Sequence, residues 1–351
     1  MEKSLDKTKN KNITFIIGNG FDLNLGLKTS YYDFVKWYKR QDSNSQEPVQ
    51  LLKDSINEEE IKWGDLELKL GEYTNLFNSH EEFYKAFCDI GENLMQYLCN
   101  EEIKYSQISD IGKKAMAHNF LDNVLVFLSK NKLLGEGKVI INFVTFNYTL
   151  VIGDIIETIK RDDDLKTILK NKNIEINLPY YCHGSLQSGK ICFGVDNYSQ
   201  VRNQKIFISH ERYIDQMVKP IRNDFFNSKY KQNSELAIKK SDVLVIYGCS
   251  LGKTDIYWVN VIKTFLGAVQ HSVFGGVGWD YDSLMNINKK IFYYSHQKRP
   301  ESTFDADGIE FEDKIRSNIS FADDSRINIT YDNIFAEVKN SIDKYNSKHK
   351  Q

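Results

Sequence analysis

Three apolar runs, at 13–17, 139–146 and 242–247, are rich in β-branched and aromatic residues. They do not alternate with polar residues, which predicts strands buried on both faces. A further strand is predicted over 174–181, a short strand and turn over 191–196, two more strands at 273–276 and 291–294, and an edge strand at 326–329. Elsewhere the apolar spacing is helical. Tyr31, Phe34, Val35 and Tyr38 recur at helical spacing behind Ser30, which with Asp33 resembles a capping box. Residues 63–132 carry three such stripes: Leu66 to Phe77, Phe83 to Leu98 and Ala117 to Leu128. Helices are also predicted over 150–159, within the partly basic segment 210–240, over 255–266, near 282–288 and over 333–345. The polar stretch 42–60, rich in Glu, Asn and Gln, predicts a loop.

Strands alternating with helices predict an α/β, Rossmann-like fold: a mostly parallel sheet with helices on both faces. The expected organisation is a flexible N-terminus (1–12), a core (13–41 and 133–351) and a large helical insertion (42–132) between the first two core strands.

The first strand stops at Gly18-Asn19-Gly20, and Gly26 follows six residues after Gly20. A glycine turn at the carboxyl end of a strand is where open α/β sheets bind nucleotides. N–H groups of residues 18–21 could hold a pyrophosphate there. The same glycines also suit a plain strand-to-helix turn, and Leu23 stands where the dinucleotide fingerprint has its third glycine. Four predicted strand ends carry polar or glycine-rich turns, at Gly18, Asn147, His183 and Gly248. A parallel sheet brings such ends to one edge, within reach of one ligand. Asn147 reads as a turn residue or a ligand contact, His183 as a core histidine or a general base, and Asp22 as a helix cap or a polar contact. Gly248-Cys249-Ser250-Leu251-Gly252-Lys253-Thr254 resembles a P-loop but has three residues between its glycines instead of four. Cys249 reads as a small residue in a tight turn.

Composition narrows the classes. A hydrophobic fraction of 41% with 27% charged residues describes a globular chain. A net charge of -2 with dispersed Lys and Arg argues against a dedicated nucleic-acid binder. The 5 cysteines form no C-x-x-C pair, so no structural zinc is expected and a reducing cytoplasm fits. Residues 1–7 carry charge without an apolar stretch, unlike a signal peptide, and no apolar run reaches membrane-spanning length. A cytoplasmic protein is expected, with no metal and no membrane partner.

Gly18-Asn19-Gly20-Phe21-Asp22, followed by Gly26-Leu27-Lys28-Thr29-Ser30-Tyr31, is similar to the opening signature of the bacteriophage abortive infection AbiH family. Trp63-Gly64-Asp65-Leu66-Glu67, Thr145-Phe146-Asn147-Tyr148-Thr149, His183-Gly184-Ser185 and Gly248-Cys249-Ser250-Leu251-Gly252-Lys253-Thr254-Asp255 match that family in order. The same stretches resemble, more distantly, the sirtuin-type NAD-binding fold. Gly18, Gly20 and Gly26 keep its glycine spacing, while Thr145-Phe146-Asn147, His183-Gly184, Phe193-Gly194-Val195 and Gly248-Cys249-Ser250 stand for its later motifs. Asp22, Tyr31 and Phe146 replace the sirtuin Ser, Arg and Gln, and Cys249 stands where AbiH proteins usually have His. The sirtuin zinc cysteines are missing, so protein deacylation is not implied.

The resemblance implies a sirtuin-like core and an anti-phage effector that hydrolyses the nicotinamide–ribose bond of NAD, its substrate, without a metal. It implies catalytic roles for Asn147, holding the ribose or the attacking water, and His183, a general base with the ordinary histidine pKa of about 6.5. NAD contacts are implied at Gly18, Asn19, Gly20, Phe21, Asp22, Gly26 and Tyr31, and at Thr145, Gly184, Gly248, Cys249, Ser250 and Leu251. Trp63, Asp65 and Glu67 either reach the site from the insertion or serve ordinary helix packing and a solvated face. Such an activity needs gating, so a phage-derived trigger or partner defence protein and assembly into a homo-oligomer are expected. Two alternatives stay open: a nucleotide-sensing module without turnover, and a metal-dependent nuclease or phosphohydrolase drawing on Asp22, Asp65 and Glu67.

Overall fold

The computed structural model describes residues 9–42, 47–58, 65–266, 268–273, 276–281, 289–294, 327–330, 335 and 338. The chain opens with β1 (Lys11–Ile17), then α1 (Gly20–Asn24) and α2 (Tyr31–Tyr38). Strand β1 starts two residues before the expected boundary at 13, and the Lys11 ammonium is tied to the Leu133 carbonyl at 3.0 Å. Ser30 caps α2 by accepting the Asp33 N–H, as its sequence predicts.

The stretch expected as a loop at 42–60 instead carries α3 (Glu47–Ser55). Val49, Leu52 and Ile56 give it a buried stripe at helical spacing inside a polar segment. Next come α4 (Asp65–Tyr73), α5 (His80–Ser106) and α6 (Asp110–Lys130), with no strand among the described residues of 63–132. Trp63 and Gly64 lie outside the described residues.

Strand β2 (Val139–Thr145) leads to α7 (Val151–Arg161) and to α8 (Asp163–Asn171). Helix α8 was not expected; Asp162 caps it by accepting the N–H groups of Asp164 and Leu165. The single strand expected over 174–181 is two strands, β3 (Ile174–Ile176) and β4 (Tyr180–Tyr181). Pro179, which has no N–H for the ladder, lies between them. Strands β5 (Gly184–Ser185) and β6 (Lys190–Ile191) form a small hairpin, and Val195 bridges to Val218. Helices α9 (Glu211–Asp215), α10 (Lys219–Phe226) and α11 (Ser228–Lys240) precede β7 (Val243–Tyr247) and α12 (Ile256–Phe265).

The expected strand at 273–276 is the end of β8 (Ala268–Val273) and the start of its antiparallel partner β9 (Gly276–Tyr281). The helix expected near 282–288 lies outside the described residues, as does most of 333–345, where residue 335 is a turn and 338 helical. Strands β10 (Lys290–Tyr294) and β11 (Ile327–Thr330) complete the main sheet, with β11 at its edge.

The sheet order is β11-β10-β7-β1-β2-β3, with β4 also beside β2, and every pairing is parallel. Alternate strand residues serve opposite layers. Ile13, Phe15 and Ile17, with Val245 and Phe143, join α6, α7 and α8 in one cluster. Ile16, Leu244, Ile246 and Val144 join α11 and α12 in another. A third cluster packs α2 to α5 against residues 191–218. The 42–132 stretch therefore serves two layers: α3 to α5 build the third cluster, and α6 covers the sheet.

From β1 the chain proceeds to β2 and β3 on one side, and later from β7 to β10 and β11 on the other. The order reverses between β1 and β7. Ile17 lies opposite both Thr145 and Tyr247, so residues 18, 146 and 248 leave the sheet side by side.

Candidate active site

At that reversal the carboxyl ends of β1, β2 and β7 open into a cleft with a volume of about 110 Å³. Gly18, Asn19, Asp22 and Tyr31 line it from the first turn and α2. Asn147 and His183 line it past β2 and β4, and Gly248, Cys249, Ser250 and Leu251 past β7. Leu94 and Leu98 of α5 and Glu67 of α4 supply a wall from the helical insertion.

Five expected contacts lie outside that lining. Phe21 is fully buried, edge-on to Phe120 at 6.0 Å and to Phe335 at 5.5 Å. Gly26 ends α1 with φ 86, and Gly184 (φ 79) pairs with Ile191. Thr145 accepts the Asn147 N–H through its hydroxyl at 3.1 Å. Gly20 donates its N–H to the Gly248 carbonyl at 2.9 Å.

That last bond shows what the glycines do. The β1 and β7 turns lie directly against each other, and a Cβ on Gly18 would fall 2.4 Å from the Gly248 oxygen. The N–H of Gly18 goes to Tyr247 and that of Phe21 to Gly18, so three of the four amides expected to cradle a pyrophosphate are bonded within the chain. Gly248 (φ 65) would place a Cβ 2.7 Å from Gly20 Cα. Gly248→Ala is expected to lower stability by about 1–3 kcal/mol beyond the backbone cost of its left-handed φ. Gly189→Ala is the control, since Gly189 (φ 62) has open space around its Cβ position. Equal denaturation midpoints for the two variants would contradict the packing argument.

Asp22 is 1% exposed. Its carboxylate accepts from Asn147 Nδ2 at 2.9 Å and from the Thr149 hydroxyl at 2.5 Å. Burial pushes its pKa up to about 7, with the Glu102 charge adding, while the two hydrogen bonds hold it back. Asp22 lies within α1 and is not its N-cap, which is Asn19. With Nδ2 committed to Asp22, Asn147 Oδ1 is buried and has no hydrogen-bond partner. A buried acceptor of this kind is costly unless something donates to it.

His183 is set differently from expectation. Trp258 Nε1 donates to its Nε2 at 3.1 Å. An indole N–H only donates, so Nε2 is unprotonated and the imidazole proton sits on Nδ1. Burial lowers the pKa to about 3; the nearby Lys219 charge adds to the effect and Asp255 opposes it. His183 is therefore neutral at pH 7, and the ordinary value of about 6.5 does not apply.

Beside it stands a buried triad. Lys219 Nζ reaches Glu67 Oε2 at 2.7 Å and Asp255 Oδ1 at 2.9 Å. Lys219 keeps Asp255 ionised, whereas burial outweighs that pull at Glu67 and pushes its carboxyl up. Tyr31 donates to Glu67 Oε1 at 3.0 Å. Glu67 thus belongs to the cleft; Asp65 is not in its lining. The Cys249 thiol is pushed up by burial and lies near the Ile16 and Tyr247 carbonyls, which suits packing in the turn.

Sequence reading missed Lys219, which sits in a basic stretch without a motif. Thr149 and Asp255 went unassigned, although both fall within strand-end motifs. Among the described residues no three or more His, Cys, Asp or Glu are grouped to hold a metal ion, and no helix is long and apolar enough to cross a membrane. The family model for bacteriophage abortive infection AbiH matches residues 14–274. A search of the curated proteins returned no match.

Proposed function

Because the chain belongs to the bacteriophage abortive infection AbiH family, we propose that it is a phage-defence effector that hydrolyses NAD in this cleft. Membership of the family implies a part in abortive infection. NAD as substrate and cleavage of its nicotinamide–ribose bond are the finer reading, supported by the resemblance of the strand-end motifs to sirtuins. The observation that carries it is Asn147 Oδ1: a buried acceptor without a partner, in a cleft at the point where strand order reverses, and beside a carboxyl that titrates near neutrality.

In this reading Asn147 Oδ1 accepts from a ribose hydroxyl or from the attacking water. The C–N bond breaks with its electron pair leaving on nicotinamide, which becomes neutral. Water adds to the oxocarbenium-like ribose and gives its proton to Asp22. The ionised Asp22 also stabilises the developing positive charge. His183 contributes as a neutral imidazole that donates from Nδ1, and the proton-accepting role passes from His183 to Asp22. Gly248 and Ser250 border the adenosine half.

The test is release of free nicotinamide from NAD by purified protein in its activated state. Asn147→Ala is expected to lower the rate by at least about 10²-fold through lost positioning, while Cys249→Ser and added EDTA leave it near wild type. Tight NAD binding without nicotinamide release would replace cleavage by sensing. Magnesium-dependent activity on nucleic acid would replace it by the nuclease reading.

A further inference from the structure

Many of the side-chain hydrogen-bond donors lining the cleft are already engaged. The hydroxyls of Tyr31, Tyr148 and Thr149 donate to Glu67, to the Cys192 carbonyl and to Asp22. Thr29 donates to Asn19 Oδ1, and the Asn19 amide donates to the Thr29 carbonyl. Lys219 is the one Lys or Arg among the lining residues, and its ammonium is held between two carboxylates. His183 is uncharged, with its Nε2 held by Trp258, so it offers only the neutral N–H at Nδ1 and no positive charge. Against these stand three acidic groups, Asp22, Glu67 and Asp255, and the unpartnered acceptor Asn147 Oδ1. A donor entering the floor gains a hydrogen bond and meets favourable charge. An anion entering it meets the ionised Asp255 and, as pH rises past about 7, the Asp22 carboxylate, in a poorly solvated place.

We infer that the floor of the cleft recognises a neutral or cationic, N–H- or O–H-bearing group of its ligand and excludes a carboxylate or phosphate. Resting on the NAD reading, this makes the site selective for the amide form of the dinucleotide over its nicotinic acid counterpart, which carries a carboxylate on the same ring. Glu67 is a specificity-determining residue in this arrangement, because Asp255 alone can still neutralise Lys219 when Glu67 is replaced by Gln.

The experiment measures the inhibition constant of nicotinic acid adenine dinucleotide against nicotinamide release from NAD. It is expected to lie at least about tenfold above the KM for NAD, about 1.4 kcal/mol. Glu67→Gln is expected to narrow that ratio without an equal loss in kcat. If Glu67→Gln does not fold, raising the salt concentration with the wild-type protein serves instead, and the ratio should persist because buried charges are poorly screened. Equal affinity for the amide and the acid, or preference for the acid, overturns the inference and leaves the NAD reading standing. If NAD is not cleaved, equilibrium dialysis with both dinucleotides decides: amide-selective binding supports the inference while cleavage fails, and equal binding overturns it. Binding of neither overturns both.

Discussion

Asp22→Asn is expected to stabilise the protein at pH 8 and to abolish the pH dependence of NAD cleavage. The folded pKa of Asp22 is raised from 3.8 to about 7, chiefly by burial. A raised carboxyl pKa means that the folded state binds its proton more tightly than the unfolded chain does. The stability this contributes is fully present below about pH 4 and is lost as pH rises towards 7, by at most about 4 kcal/mol. The amide removes that loss and fits the local bonds. Thr149 can donate to its oxygen, and Asn147 can turn its unpartnered Oδ1 to accept from the new NH₂. Thermal melts should therefore diverge between pH 4 and pH 8, with the variant increasingly the more stable. Wild-type cleavage should rise with pH, half-maximal near 7, and the variant should be slower by about 10²–10⁴-fold and flat. A variant destabilised equally at both pH values would show that Asp22 is held by its hydrogen bonds and not strained by burial.

Lys219→Met is expected to cost about 3–5 kcal/mol, because it leaves Glu67 and Asp255 buried without their cation. Lys219 joins α10 to α4 of the insertion and to the residue preceding α12, so its loss loosens three elements around the cleft. Adding Glu67→Gln to Lys219→Met should restore part of the midpoint, since one stranded carboxylate is removed. Urea unfolding at pH 7 reads both effects. A loss under about 1 kcal/mol, or a double variant weaker than the single, would contradict the buried-triad account.

The strands and their glycine turns were legible because a strand buried on both faces must be apolar along its whole length, and because few residues can stop it so abruptly. The meeting of residues 18, 147, 183 and 248 followed from parallel topology alone. Helix α3 was hidden because Val49, Leu52 and Ile56 are sparse among polar neighbours. The role of the glycines stayed open between a ligand turn and a plain one, because spacing shows that a turn is tight, but not whether a ligand or another turn presses against it. The state of His183 was illegible for a similar reason, since Trp258 and Lys219 reach it from 75 and 36 positions away. Sequence proximity carries no record of such contacts, and they set its pKa.

The mutual seating of the β1 and β7 turns has a bearing on synthesis. Gly18 emerges from the ribosome 230 residues ahead of Gly248, the residue it rests on. At about 5–20 residues per second that interval is on the order of 10–50 s. Until β7 and Asp255 follow, the nascent chain has neither the far wall of the cleft nor the carboxylate that completes the Lys219 triad. Prematurely terminated fragments ending before residue 243 share that deficiency. On the proposed reading, a cleft divided between distant parts of the chain would leave unfinished copies without a complete site.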